Sequence, residues 1–232
     1  MSDLHIQVFY DGVDVANYAN RPEVKGITTN ISFMAAANIS DYNEFITNSV
    51  SHSGNKPISF QTYADTTEEL ENDARRITGY GQNVYVKVPV MSTSGVFNTD
   101  LIHKLHSDNV KVNVTSVYTV RQIDELRNVF GSETPTIVSI FAGKVADTGV
   151  NPRSIVEHAV SVFSDRPNVE ILWAACRSVY NIFEAQDAGC HIITVPDSVI
   201  NRMGRIGNDL EEMTIDTVKT FRNDGVKGNI HF

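Results

Sequence analysis

The run Val84-Tyr85-Val86-Lys87-Val88 places a lysine among β-branched residues. Successive side chains of a strand alternate between its two faces, so the three valines share one face and Tyr85 shares the other with Lys87. If the valines pack against helices, Lys87 points into the sheet's interior. Burying an ammonium is costly, and structural interiors normally take Val, Ile or Leu there. The same desolvation is what an amine nucleophile needs. It disfavours the charged form and leaves a free amine nearer neutral pH, able to form a Schiff base with a carbonyl. On periodicity alone two other readings stay open: a surface lysine on an edge strand, or an inward lysine neutralised by Asp11.

Eight short β-branched runs recur along the chain, at Gln7–Tyr10, Gly26–Thr28, Pro57–Thr62, Val84–Val88, Lys111–Thr115, Thr136–Ile140, Glu170–Ala174 and His191–Thr194. Amphipathic helical stretches lie between them at Thr66–Thr78, Asn98–His106, Val120–Phe130, Pro152–Phe163 and Val179–Ala188. Thr66 with Glu69 has the spacing of a capping box, and Pro152 suits a first helical turn. Gly207–Asn223 reads as a terminal helix. Alternation of strand and helix implies a parallel sheet, and eight repeats imply closure into a (β/α)8 TIM barrel spanning residues 1–232 as one domain. An open doubly wound sheet is the alternative. In a barrel the C-terminal strand ends meet at one rim, where active sites are built. Here those ends carry Asp11, Thr28 with Asn30, Gln61, Lys87, Thr115, Ser139 and Arg177.

With 232 residues, 41% of them hydrophobic, the chain is long enough for such a barrel. The net charge of −9 argues against nucleic acid or an anionic membrane as partner, though not against a small anionic substrate held by local cations. No signal peptide or bilayer-spanning run is visible, so a cytoplasmic location is expected. Cys176 and Cys190 make neither a disulfide framework nor a metal finger. His103 and His106 sit one helical turn apart but lack a third ligand, so they are expected on a solvated face and no metal is expected. Gly79-Tyr80-Gly81 precedes a strand and Gly143-Lys144 lacks an upstream glycine, so neither is a nucleotide motif. No cofactor is expected.

Four segments, Ile27-Thr28-Thr29-Asn30, Val86-Lys87-Val88-Pro89-Val90, Val114-Thr115-Ser116-Val117-Tyr118 and Ala188-Gly189-Cys190, together resemble the transaldolase and fructose-6-phosphate aldolase family, in its short, aldolase-like form. They occur in the family's order at about its spacing. The resemblance implies a metal-independent class I enzyme that cleaves or transfers a dihydroxyacetone unit of a ketose, with a small sugar as partner. It implies the Schiff-base role for Lys87, proton transfer by Asp11, and a catalytic water held by Thr115 and Gln61. Asn30, with Thr28 behind it, would orient the donor hydroxyls, and Ser139, Phe141, Lys144, Trp173, Ala175 and Arg177 would line the substrate site. Short members of the family tend to form rings, so a homo-oligomer of five or ten subunits is expected, with the terminal helix reaching a neighbour.

The departures from the family pattern bear on the substrate. Ile31 stands where proline normally follows Thr-Thr-Asn. Ala175 stands where a phosphate-binding serine is expected, Trp173 is bulkier than usual, and Lys144 replaces an arginine; a lysine offers a point charge but no bidentate fork. Phe141 is the transaldolase choice and Gln61 the aldolase choice. A sugar with a phosphate tail is the first expectation, a sulfonated one the second. A barrel that binds without turnover is the rival of another class, and the retained Asp11, Asn30, Gln61, Lys87 and Thr115 count against it.

Overall fold

The computed structural model describes residues 4–231. Its strands are β1 (Gln7–Asp11), β2 (Val24–Thr28), β3 (Ile58–Gln61), β4 (Val84–Pro89), β5 (Val112–Val117), β6 (Thr136–Ile140), β7 (Val169–Trp173) and β8 (Ile192–Val195). All neighbours pair in parallel, and β1 pairs with β8, so the sheet closes into a TIM barrel in simple chain order. Eleven α-helices accompany the strands among the described residues: α1 (Val15–Tyr18), α2 (Ile31–Ala36), α3 (Tyr42–Ser53), α4 (Thr67–Thr78), α5 (Thr99–Ser107), α6 (Val120–Leu126), α7 (Ala142–Ala146), α8 (Arg153–Val162), α9 (Tyr180–Asp187), α10 (Asp197–Ile200) and α11 (Leu210–Lys227).

The core has two parts, separated by strand parity. Val84, Val86 and Val88 face outward into the layer between strands and helices, as do Val112 and Val114. Phe9, Tyr85, Ile137, Leu172 and Ile192 face inward and plug the barrel. Gly26 sits beside Phe9 in the β1–β2 register, and a Cβ there would meet the Phe9 ring at 2.5 Å, so glycine makes room for the plug. This apolar floor leaves the polar residues stacked above it, at the C-terminal ends of the strands.

Four helices between strands were not foreseen from the sequence: α1, α2, α3 and α7. In α3 the buried positions are Phe45, Ile46, Ser49 and Ser53. Half of its inward stripe is serine, which hides the apolar period that marks a helix. The segment expected as a helix over Val120–Phe130 ends at Leu126 and continues in turns. Asp209 caps α11, its side chain accepting from the amides of Glu211 and Glu212, and the helix runs past Gly225 to Lys227. No residue of α11 is buried, and Leu210, Ile215, Val218, Phe221 and Val226 remain exposed.

Candidate active site

A cavity of about 680 Å³ opens at the C-terminal end of the barrel, with Lys87, Asp11, Thr28, Asn30, Gln61 and Thr115 among its walls. Lys87 lies inward on β4, only 6% exposed, between Gln61 of β3 and Asn113 of β5 in the strand register. Its Nζ donates to the Thr29 carbonyl at 2.9 Å. Burial holds the Lys87 amine below the ordinary lysine value, with the negative charge of Asp11 pulling the other way. Burial likewise raises the Asp11 carboxyl, against the opposing effects of Lys87 and of a hydrogen bond from Thr28. Desolvation dominates for both groups, so each is pushed toward its neutral form.

Thr28 joins the two sides of β1. Its hydroxyl donates to Asp11 Oδ1 at 2.8 Å and lies 2.6 Å from the hydroxyl of Thr194 on β8. A hydroxyl has one proton, so with Thr28 donating to Asp11, Thr194 must donate to Thr28. Asn30 follows β2 as the N-cap of α2, its side-chain carbonyl accepting from Phe33 N at 3.0 Å. That commitment leaves its amide hydrogens as the donors available to a ligand.

On β5, Thr115 and Ser116 form an irregularity in the pairing with β6, and Ser116 adopts a φ of 62°. The left-handed backbone region is uncommon for residues other than glycine and clusters at functional positions. Beside it, the Thr115 hydroxyl is buried and has no hydrogen-bond partner among the described residues. An orphaned buried hydroxyl is costly unless a water or ligand meets it. Gln61, across Lys87, also lines the cavity. Deeper, Ser139 donates to Asn113 Oδ1 at 2.7 Å and Asn113 donates to Ser59 at 3.1 Å, a buried polar chain across β6, β5 and β3.

The cationic end of the cavity is built from α7 and the loop after β7. Lys144 and Arg177 line it, with Lys144 Nζ 5.5 Å from the centre of the Phe141 ring. Arg177 is paired with Asp147 at 2.6 Å. Ala175 lines the wall in the left-handed region, at φ 60°, and its carbonyl occupies the space a Cβ on Gly143 would need.

Trp173 is a correction. It was expected in the substrate site, taking up room at the anion end, but it does not line the cavity. Within β7, Leu172 points inward, so Trp173 points outward and lies 2% exposed in the layer against the helices. The alternation that singles out Lys87 gives this result when applied to β7. His106 is a second correction. Rather than facing solvent it is 3% exposed, its Nε2 accepting from Gly131 N at 2.9 Å and its Nδ1 3.1 Å from the Thr136 hydroxyl. A helical repeat cannot tell a solvated histidine from one satisfied by main chain. Asn113 and Thr194 were missed; both sit at inward parity between outward Val or Ile residues, which is the signal that could have found them. Among the described residues no cluster of His, Cys, Asp or Glu is placed to hold a metal ion, Cys176 and Cys190 are free thiols, and no helix is long and apolar enough to cross a membrane.

The sequence model of the family "Transaldolase/Fructose-6-phosphate aldolase" matches residues 8–227. A "Probable transaldolase" of Caldicellulosiruptor saccharolyticus is 29% identical over 180 residues, covering 77% of this chain and 78% of that protein. One of Streptococcus equi subsp. equi is 29% identical over 202 residues, with 87% of each chain covered. One of Nitrosopumilus maritimus is 30% identical over 182 residues, with 77% of each covered.

Proposed function

We propose that this chain, which belongs to the transaldolase/fructose-6-phosphate aldolase family of enzymes, acts through a Schiff base on Lys87 and cleaves or transfers the dihydroxyacetone end of an anionic ketose. The observation that carries this reading is the buried amine of Lys87 at a cavity mouth, held by the Thr29 carbonyl and facing Asp11, Gln61 and Thr115. A desolvated amine is a nucleophile near neutral pH, and the inward plug beneath it leaves no other direction for a substrate.

In this mechanism the neutral Lys87 amine attacks the ketose carbonyl carbon to give a carbinolamine. Loss of water leaves an iminium, with a water between Thr115 and Gln61 carrying protons between nitrogen and oxygen. The orphaned Thr115 hydroxyl is suited to holding that water. Asp11, ionised, takes the proton from the hydroxyl on the fourth carbon as the bond between the third and fourth carbons breaks. The bonding electrons pass into the iminium to form an enamine, and an aldehyde departs. Asn30, backed by Thr28, orients the hydroxyls of the retained three-carbon unit. Lys144 and Arg177 hold the anionic tail, with Phe141 and Ser139 along the wall between. A sugar phosphate is the substrate class the family suggests. Ala175 has no hydroxyl to offer a phosphate, which favours a tail such as a sulfonate as a second reading; Trp173, buried behind the strand, lends that reading nothing.

We also propose that the chain assembles into a ring through α11, because its exposed apolar residues have no partner among the described residues of one chain. Borohydride reduction in the presence of dihydroxyacetone or fructose 6-phosphate tests the chemistry. A ketose-derived mass on Lys87 supports it, and labelling at a different lysine, or at none with any ketose, removes it.

A further inference from the structure

Asp11, Thr28 and Thr194 lie on the inward side near the ends of β1, β2 and β8, each two residues beyond a position in or beside the apolar floor: Phe9, Gly26 and Ile192. In the strand register Asp11 stands beside Thr28, and Thr194 beside Phe9. The two threonines therefore flank β1 from opposite sides of the seam that closes the barrel. The outward neighbours Ile193 and Val195 carry the packing of β8 against the helices. The Thr194 side chain faces the other way, 3% exposed, and among the described residues its hydroxyl meets only the Thr28 hydroxyl, at 2.6 Å. A valine would fill nearly the same space without the cost of burying a hydroxyl, so packing alone gives no reason for threonine here.

The hydroxyl has a use through its neighbour. An ionised carboxylate only accepts, so Thr28 donates to Asp11 Oδ1 at 2.8 Å and takes the Thr194 proton on its own oxygen. This relay occupies Oδ1 and leaves Oδ2 to receive a proton from the substrate. It also acts on the charge. Burial drives the Asp11 carboxyl toward its neutral form, and the opposing influences are the Lys87 charge and the Thr28 hydrogen bond. Lys87 gives up that charge when it serves as the nucleophile, which leaves the hydrogen bond. A donor that is itself accepting a bond is polarised and donates more strongly. The other ionisable group facing Asp11 is the Cys176 thiol after β7, which burial pushes up to about 12 and keeps neutral. Arg177 and Arg202 act on that thiol, and Asp14 and Asp197 act on Tyr10, on the outward side of β1. We propose that Thr194 is a positioning residue for the cleavage step, holding Asp11 through Thr28 with one carboxylate oxygen reserved and the other free for the proton. This rests on the reading of Asp11 as the base.

The experiment compares the unaltered enzyme with Thr194→Val, Thr194→Ser, Thr28→Val and the double valine variant. Cleavage of fructose 6-phosphate is followed across pH, and labelling of Lys87 by dihydroxyacetone and borohydride reads imine formation separately. Thr194→Val is expected to lower kcat roughly fivefold, the worth of one ordinary hydrogen bond, with KM and the Lys87 label unchanged. A less well stabilised carboxylate takes up its proton at higher pH, so the acid limb of the rate profile should move upward. Thr194→Ser should restore both. The double variant should be no slower than Thr28→Val, because the relay is already broken there. Full rate and an unmoved acid limb in Thr194→Val overturn the proposal, as do failure of serine to restore them or additive losses in the double variant. Infrared titration of the carboxyl band that disappears in Asp11→Asn needs no substrate. If Lys87 takes no label in the unaltered enzyme, the catalytic reading fails. In that case, or if fructose 6-phosphate is not cleaved, the infrared midpoint decides: an upward shift in Thr194→Val supports the hold of Thr194 on Asp11, and an unmoved midpoint overturns it.

Discussion

The Lys87 side chain and the main chain of Thr29 are joined across the barrel mouth, the amine donating to the carbonyl at 2.9 Å. A strand-end carbonyl thus aims the nitrogen, and in the neutral amine the lone pair is left free for an electrophile.

Lys87 titrates below 10.5 because burial disfavours its charge. The rate of borohydride trapping should therefore rise with pH and level off below that value; a midpoint at or above 10.5 would contradict a desolvated nucleophile. Stability follows the same linkage. Between the folded and unfolded pKa values the unfolded chain binds more protons than the native one, so this group makes stability rise with pH through that window. At neutral pH the buried amine is a burden, and Lys87→Met should abolish labelling while raising the urea midpoint.

Asp11→Asn should slow carbon–carbon cleavage by about 10²–10⁴-fold while leaving imine formation at Lys87 intact. Single-turnover trapping separates the two steps. Near-normal cleavage by this variant would assign the proton transfer elsewhere. The Asp11 carboxyl is raised by burial, so the stability it contributes is present at acid pH and lost as pH rises through its folded value. The variant should accordingly lose little or no stability at neutral pH.

Thr115→Val separates activity from folding. The Thr115 hydroxyl has no partner among the described residues, so its loss breaks no hydrogen bond among them. We expect an unfolding temperature unchanged or higher, with kcat reduced on the order of tenfold or more through the lost water contact. A variant that loses stability and keeps its kcat would give Thr115 a structural role only.

Trp173 belongs to the packing between strands and helices, so Trp173→Ala should cost about 3–5 kcal/mol in denaturant unfolding. KM for any ketose should be unaffected in the fraction that remains folded. A changed KM without loss of stability would return this residue to the substrate site.

Removing residues 207–232 should leave the barrel intact, since no residue of α11 is buried within its own chain. Sedimentation velocity should then show a smaller assembly than the intact protein. The same sedimentation coefficient per subunit count in both would exclude the helix as the contact.

How much could be read beforehand divides along a physical line. Alternation on β4 singled out Lys87 as an inward charge among outward valines, and it took the resemblance of its segment to a known family to choose a nucleophile over an amine neutralised by Asp11. The barrel itself was legible from the recurrence of such runs. The helix α3 was not, because serines hold half its buried stripe, and the Asp147–Arg177 pair was not, because it joins two loops that no local pattern relates. Trp173 was misplaced for a different reason. The expectation followed the resemblance of its segment to a family's substrate site instead of the side of the strand it occupies, and parity decides wherever two faces of one strand serve different layers.

The left-handed Ala175 and the close-set Gly143 have a consequence for redesign. Because the Ala175 carbonyl fills the space a side chain at 143 would need, the two loops of the anion end are interlocked at the main chain. A mutant library that varies position 143 alone is expected to yield mostly misfolded clones. Glycine at 175 relieves the left-handed conformation without disturbing its neighbour, whereas serine there keeps the unfavourable φ and still tests the missing hydroxyl. That carbonyl stays in place whatever side chain stands at 175, so altering the selectivity of this pocket means varying 175 with glycine kept at 143.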